Sequence, residues 1–268
     1  MADQDTPSVY ALHTSPFSLY SLMAHFAFVL GQRIDPETAP AIDIRHVNLE
    51  TGENLSEPYL TEISQKGQVP VLTSPTLVTP IDDSHEISRW LCQQQPRLVP
   101  EKHRRAIGEL LDELYDIHAI AFSTTPDVMR NGIPNQAAAL LENPSLSEGH
   151  RRALEIKSMF HDSQYSRALE PDNMAQVERQ TRDLMQHLAL LLEEHPGNSK
   201  AWIFGDQPTI LDAHAAVLVA RMMDLERLDL IPDRVRVYAN SVKETAEWEQ
   251  VTQGQPTFSN ASLGPVTN

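Results

Sequence analysis

The chain has 268 residues and carries 37 acidic against 21 basic side chains, a formal charge of -16 at pH 7. That balance excludes a protein that reads nucleic acid through a basic face, and it disfavours anionic membrane surfaces. The single cysteine, Cys92, excludes an intramolecular disulfide and a cysteine-based metal cluster, and the 11 histidines fall without ligand spacing, so no metal is expected.

The opening MADQDTPS is polar and lacks the order of a secretory signal, and the apolar run after it contains His25 and is too short to span a bilayer. A soluble, cytoplasmic protein is the expectation. SVYALH reads as a short strand, and Pro16 to Leu30 as a helix apolar on nearly every side, closed by Gly31. Between them lies HTSPFS, in which Ser15 is a good helix cap and Pro16 fits the first helical position. Whether Ser15 starts a helix or does chemistry at its tip is left open by this motif alone.

AIDIRHVNL, residues 41 to 49, predicts a second strand with an irregularity near His46. Residues 50 to 67 form a polar loop with one helical turn around Tyr59 to Ile63, and QVPVLTS and TLVTPID predict a hairpin joined around Ser74 and Pro75. DSHEISRWL predicts a helix opened by Asp83 or Ser84. The first two strands flank a helix, so they should be parallel with a right-handed crossover.

Residues 93 to 100, QQQPRLVP, read as a linker, and beyond them strand signals nearly vanish. Long segments beginning at Glu101, Arg151 and Asn173 carry apolar residues at three and four spacing, PTILDAHAAVLVARMMDLERL predicts a fourth helix, and VRVYANSVKETAEW a last one. Thr209 and Asp212 resemble a capping box. The organisation expected is therefore an α/β domain over residues 1–92, an all-helical domain over 101–249, and a disordered tail over 250–268.

These pieces resemble the cytosolic glutathione S-transferase family, fungal and plant-like serine-type members in particular. TSPFSLYSLMAHFAFVLG resembles the first strand-to-helix turn of the family, EPYLTEISQKGQVPVL the run ending in Gly-Gln-Val-Pro-Val-Leu, IDDSHEISRWL the helix that starts with an acidic-Ser pair, and WIFGDQPTILDAHAAV the Gly-Asp-x-Pro-Thr-x-x-Asp signature. Four such segments in order cover most of the chain. The resemblance implies a thioredoxin-like N-terminal domain followed by an all-helical one, glutathione as substrate or cofactor, and a homodimer.

It also implies a site. Val69 before a cis Pro70 would pair its backbone with glutathione, Asp83 and Ser84 would take the γ-glutamyl end, and Gln68, with Lys66 and Asn54, would approach the glycine carboxylate. Ser15 is the expected thiolate-stabilising hydroxyl, with Thr14 its rival and Ser18 and Tyr10 weaker candidates. Tyr115 and His118, a turn apart, would face the second substrate. The sequence departs from the family at Asp83, which replaces Glu, at Glu86, where Ala is usual, in a longer Pro-rich hairpin, and in extra length over about 120–175.

A free thiol titrates near 8.5, and lowering that by about two units needs roughly 2.7 kcal/mol of preference for the thiolate. One hydrogen bond to a charged group supplies about 1.5–3 kcal/mol and a helix N-terminus about 0.3–1 kcal/mol more, so a single hydroxyl at a helix tip suffices. Three functions fit: thiolate addition to an electrophilic, apolar small molecule; cis-trans isomerisation by reversible addition; and a non-catalytic binding module. With serine where omega-type members have cysteine, thiol transfer is disfavoured, and Cys92 beside Trp90 reads as a small buried residue.

Overall fold

A computed structural model describes residues 10–121, 132–195 and 202–258. Strand β1, Tyr10–Thr14, leads into helix α1, Leu19–Ile34, and the chain returns as β2, Ile42–His46. The two strands are parallel in a regular register from Tyr10 opposite Ile42 to Thr14 opposite His46. The irregularity expected near His46 is simply the strand's end: Val47 N–H reaches the Thr14 carbonyl at 2.7 Å and the chain then turns away.

Strand β3, Val71–Thr73, lies antiparallel on the other side of β1, completing a three-stranded sheet in the order β2-β1-β3. The expected hairpin is corrected here. TLVTPID contributes only a single bridge, Ile81 to Leu72, because Pro75 and Pro80 lack the N–H a ladder needs, and Val78 stands fully exposed. Helix α2, Ser84–Gln94, then covers the sheet, with Asp83 as its cap.

Helix α1 is buried almost all round, as its composition requires, with Met23, Phe26, Ala27 and Leu30 inaccessible. Each large side chain so buried contributes about 1.5–3 kcal/mol. Its boundaries differ from expectation at both ends. The cap is Ser18, not Ser15, and the helix runs through Gly31 to Ile34. Gly31 serves close approach instead of termination: a Cβ there would meet Gln95 Oε1 at 2.0 Å.

The remainder is helical: α3, Arg104–Tyr115; α4, Gln136–Leu140; α5, Glu148–Tyr165; α6, Pro171–Glu194; α7, Ile210–Asp224; α8, Asp233–Lys243; and α9, Ala246–Thr252. The main core joins α1 to α3, α6, α7, α8 and α9, with α7 its most buried member. The capping box at α7 is real. Asp212 Oδ2 accepts from Thr209 N–H and hydroxyl at 2.7 and 2.8 Å, while Oδ1 accepts from Ile203 N–H and the Tyr238 hydroxyl at 2.9 and 3.0 Å.

The expected last helix is two, broken at Glu244, where Thr245 caps α9 through Trp248 N–H. The expected disordered tail is ordered as far as Phe258. Thr257 is 1% exposed, and its N–H and hydroxyl both donate to Asp224 Oδ2 at 2.7 Å. Residues 259–268, and 122–131 within the extended segment, lie outside the described residues. No described helix is long and apolar enough to cross a membrane.

Candidate functional site

A cleft of about 670 Å³ opens between the sheet domain and the helices. Asn54, Lys66, Gln68, Val69, Pro70, Asp83 and Ser84 all line it on the sheet side, and Tyr115 and His118 line it from α3 and the turn beyond. The Val69–Pro70 bond is cis. Residues as far apart in the chain as Phe17 and Phe258 are thus brought to one concavity, and its two walls are made differently.

On the sheet wall, backbone is fixed by local bonds. The Tyr59 hydroxyl donates to the Gln68 carbonyl at 2.7 Å, and the Asn54 amide to the Gly67 carbonyl at 2.8 Å. Gly67 has φ +54, and a Cβ there would crowd Leu60 and the Asn54 carbonyl at 3.0 and 3.1 Å, so glycine is what this bend requires. At the start of α2, Asp83 Oδ1 accepts from Glu86 N–H at 3.0 Å, which leaves its second oxygen for an incoming cation. Glu86, where the family usually has Ala, pairs with Arg89 at 2.9 Å on the surface and does not line the cleft.

At the tip of α1 the serine lining the cleft is Ser18. Ser15 and Thr14 are buried and are not part of the lining. The cause is a tight turn through Pro16 and Phe17, closed by Ser18 N–H on the Ser15 carbonyl at 3.1 Å, which delays the helix by three residues. Ser18 Oγ accepts from Ser21 N–H at 3.3 Å, and Ser21 Oγ accepts from Ser15 N–H at 3.2 Å. A hydroxyl that accepts as a cap still has its own proton to donate, so Ser18 can cap its helix and face a ligand together. Thr14 Oγ1 is buried without a hydrogen-bond partner among the described residues, and Tyr10 packs on Trp90 with ring centroids 4.7 Å apart, outside the lining.

On the helical wall, Arg221 from α7 donates to the Phe17 carbonyl at 2.8 Å and so braces the turn that presents Ser18. Burial pulls its guanidinium down to about 10. Tyr115 is turned inward more than outward: its hydroxyl meets His214 Nδ1 at 3.2 Å, and its ring stacks on His85 with centroids 4.4 Å apart. Because the Ser88 hydroxyl donates to the Ser84 carbonyl, it accepts from His214 Nε2–H, which leaves Nδ1 to accept from Tyr115. His118 is exposed at the rim. Burial pushes the Cys92 thiol up to about 12, so it holds no thiolate at neutral pH.

The residues that sequence reasoning missed are Lys157 and Arg221. Lys157 sits on the buried stripe of its helix, one turn after Ala153 and Leu154, and Arg221 near the end of a helix buried all round, so a cation among apolar neighbours is the available signal. Among the described residues no cluster of acidic, histidine or cysteine side chains could hold a metal ion.

No protein-family model matches the sequence, and no curated protein matches it significantly. Solved structures do. A maleyl pyruvate isomerase, a bacterial glutathione S-transferase of the zeta class, is 19% identical with a TM-score of 0.59 over 93% of this chain and 100% of that one. A glutathione transferase family member from Pseudomonas fluorescens pf-5, solved with two glutathione molecules bound, is 14% identical with a TM-score of 0.57 over 93% and 95% of the two chains. Glutathione transferase F7 from Populus trichocarpa is 12% identical with a TM-score of 0.58 over 91% and 98%. At such identities the likeness speaks for architecture: the chain has the glutathione transferase fold, a thioredoxin-like domain followed by a helical one.

Proposed function

We propose that the protein binds glutathione in this cleft and holds its thiol as a thiolate beside the Ser18 hydroxyl, for addition to an electrophilic carbon of a largely apolar small molecule. The observation that carries this reading is the convergence of three features on one cleft: the Ser18 tip of α1, the Val69–Pro70 segment and the Asp83–Ser84 start of α2. In this reading Asp83 meets the ammonium of the γ-glutamyl end, the N-terminus of α2 and Ser84 meet its carboxylate, and Val69 offers its backbone to the cysteinyl unit. Phe17, Tyr20, Phe160 and Phe258 supply apolar lining for the second substrate.

The choice of Ser18 over Ser15 rests on which hydroxyl lines the cleft. Calorimetry with glutathione, followed by ultraviolet titration of the bound thiol, tests the whole reading: a thiolate near neutral pH supports it, and binding without one leaves a ligand-binding module instead. Ser18→Ala should cost about 10- to 100-fold in conjugation rate, the worth of one charge-assisted hydrogen bond, while Ser15→Ala stays within about threefold. The reverse pattern would move the role back to Ser15, as the serine-type resemblance implies.

A second reading is favoured by the likeness to a maleyl pyruvate isomerase. The same thiolate adds reversibly to a conjugated double bond, the bond rotates, and the thiolate leaves. Product analysis separates the two, since isomer without sulfur adduct excludes conjugation as the main reaction. A cytoplasmic homodimer belongs to this proposal, and sedimentation of the purified protein as a monomer would remove the dimer from it.

A further inference from the structure

Three residues of the sheet wall resemble those that approach the glycine carboxylate of glutathione, and in this chain all three have other partners. Lys66 Nζ pairs with Asp82 Oδ1 at 2.9 Å, the Asn54 amide donates to the Gly67 carbonyl at 2.8 Å, and Gln68 Nε2 reaches the Tyr165 hydroxyl at 3.4 Å. One cation beside them is different. Lys157 on α5 is 9% exposed, lines the cleft, and makes no ion pair or hydrogen bond among the described residues. Its nearest aromatic contact is the Phe160 ring, 5.5 Å from Nζ.

Two features fix where that amine stands. Its stem passes over Gly67, where a Cβ would meet Lys157 Cδ at 3.2 Å, so the absence of a side chain at Gly67 makes the passage for it. Helix α5 is also fastened to the sheet domain on both sides of Lys157. Ser147 Oγ donates to Glu57 Oε1 at 2.7 Å and His150 Nε2 to the Leu55 carbonyl at 2.7 Å toward one end, and Tyr165 meets Gln68 at the other. A buried amine without an anion is costly to hold, and proteins keep such groups where a ligand supplies the counter-charge. Burial alone draws this one down to about 8.

We infer that Lys157 is the residue that takes the C-terminal carboxylate of the bound thiol peptide, so that the helical domain, not the thioredoxin-like one, reads that end of the ligand. The inference rests on the glutathione reading above and deepens it. It assigns the cleft a selectivity: a thiol peptide with a free carboxylate beyond the cysteine is preferred over γ-glutamylcysteine or an esterified peptide, because only the former reaches the amine. It also makes α5 part of the binding site, on a helix already fastened to the sheet domain at both ends.

The test is calorimetry with glutathione and its glycine monoethyl ester on the wild type, Lys157→Met and Lys157→Arg. The wild type should bind glutathione about 10- to 100-fold more tightly than the ester. Lys157→Met should lose that discrimination and bind both at the ester's affinity, and Lys157→Arg should keep most of it. Thermal melting of Lys157→Met at or above the wild-type temperature verifies the fold, since an unpaired buried amine is removed. Undiminished discrimination in Lys157→Met overturns the inference and leaves the glutathione reading standing, whereas a wild type that binds neither ligand overturns both. If Lys157→Met binds glutathione normally but loses only carboxylate-bearing electrophiles, the inference is overturned and the amine belongs to the second substrate.

Discussion

The two walls of the cleft are built on opposite plans. The sheet wall is local: Asn54 to Pro70 and Asp82 to Ser84 are short stretches whose backbone is set by a glycine, a proline and a helix cap, and whose side chains mostly bond within the same stretch. The helical wall is assembled from afar. Lys157, Arg221 and Phe258 come from three separate elements, and Arg221 reaches across 204 positions to brace the Phe17 carbonyl. A ligand that needs only peptide-like recognition can be served by the first wall, whereas selectivity and charge placement depend on the second. Breaking the helical domain should therefore remove the site as a whole, and subtler changes on that wall should retune it.

The largest effect is expected at Asp212. Its carboxylate is fully buried, its pKa is raised by that burial, and four donors hold it from Ile203, Thr209 and Tyr238. Asp212→Ala leaves those donors unpaired in the core and should cost about 3–5 kcal/mol of stability. Urea denaturation measures it. A loss under about 1 kcal/mol would mean that α7 does not depend on this box, and that the helical wall is not organised from its centre.

The difference between the walls also decides what was legible in the sequence. GQVPVL and DDSHEI could be placed on the cleft because each is a contiguous pattern tied to one local geometry. Which of Ser15 and Ser18 caps α1 is not legible, because the competition between two serines for one cap is settled by a turn at Pro16 and Phe17 that leaves no periodic mark. TLVTPID departs from expectation for a related reason: its β-branched residues favour a strand, and Pro80 within it and Pro75 just before it outweigh them. Thr257 lies in a stretch without periodicity, yet a single buried threonine on Asp224 orders it. Lys157 and Arg221 were invisible as a pair because nothing local joins them.

A pH effect of intermediate size should come from the histidine between the walls. His214 is held neutral by burial, with a lesser push from His85, and its pKa falls from 6.5 to about 3. Between those two values the unfolded chain binds a proton that the folded chain refuses, so stability falls as pH falls. His25, lowered to about 4 by burial and then by His46, adds to the same trend. Each contributes a slope of up to about 1.4 kcal/mol per pH unit below 6.5. Urea midpoints between pH 6.5 and 5, above the range where exposed carboxylates titrate, should show it, and His214→Gln should remove part of the slope. A flat profile over that window would show that His214 takes up a proton in the folded protein, and the bonds to Ser88 and Tyr115 would then be wrong.

The smallest effect is expected at Tyr115, and it discriminates best between the walls. The residue lines the cleft, so it could serve a second substrate, but its hydroxyl is directed to His214 and burial raises its pKa. Through His214 that bond runs on to the Ser88 hydroxyl and so to the Ser84 carbonyl, which links Tyr115 indirectly to the start of α2. Tyr115→Phe should then cost about 1 kcal/mol of stability, the worth of a buried hydrogen bond, and weaken glutathione binding a few fold through the loosened Ser84. The maximal rate with a saturating electrophile should stay within about twofold, because the hydroxyl is spent on structure. A tenfold fall in that rate at unchanged stability would reverse the assignment. It would mean that the hydroxyl leaves His214 when substrate arrives, and that the helical wall contributes chemistry as well as shape.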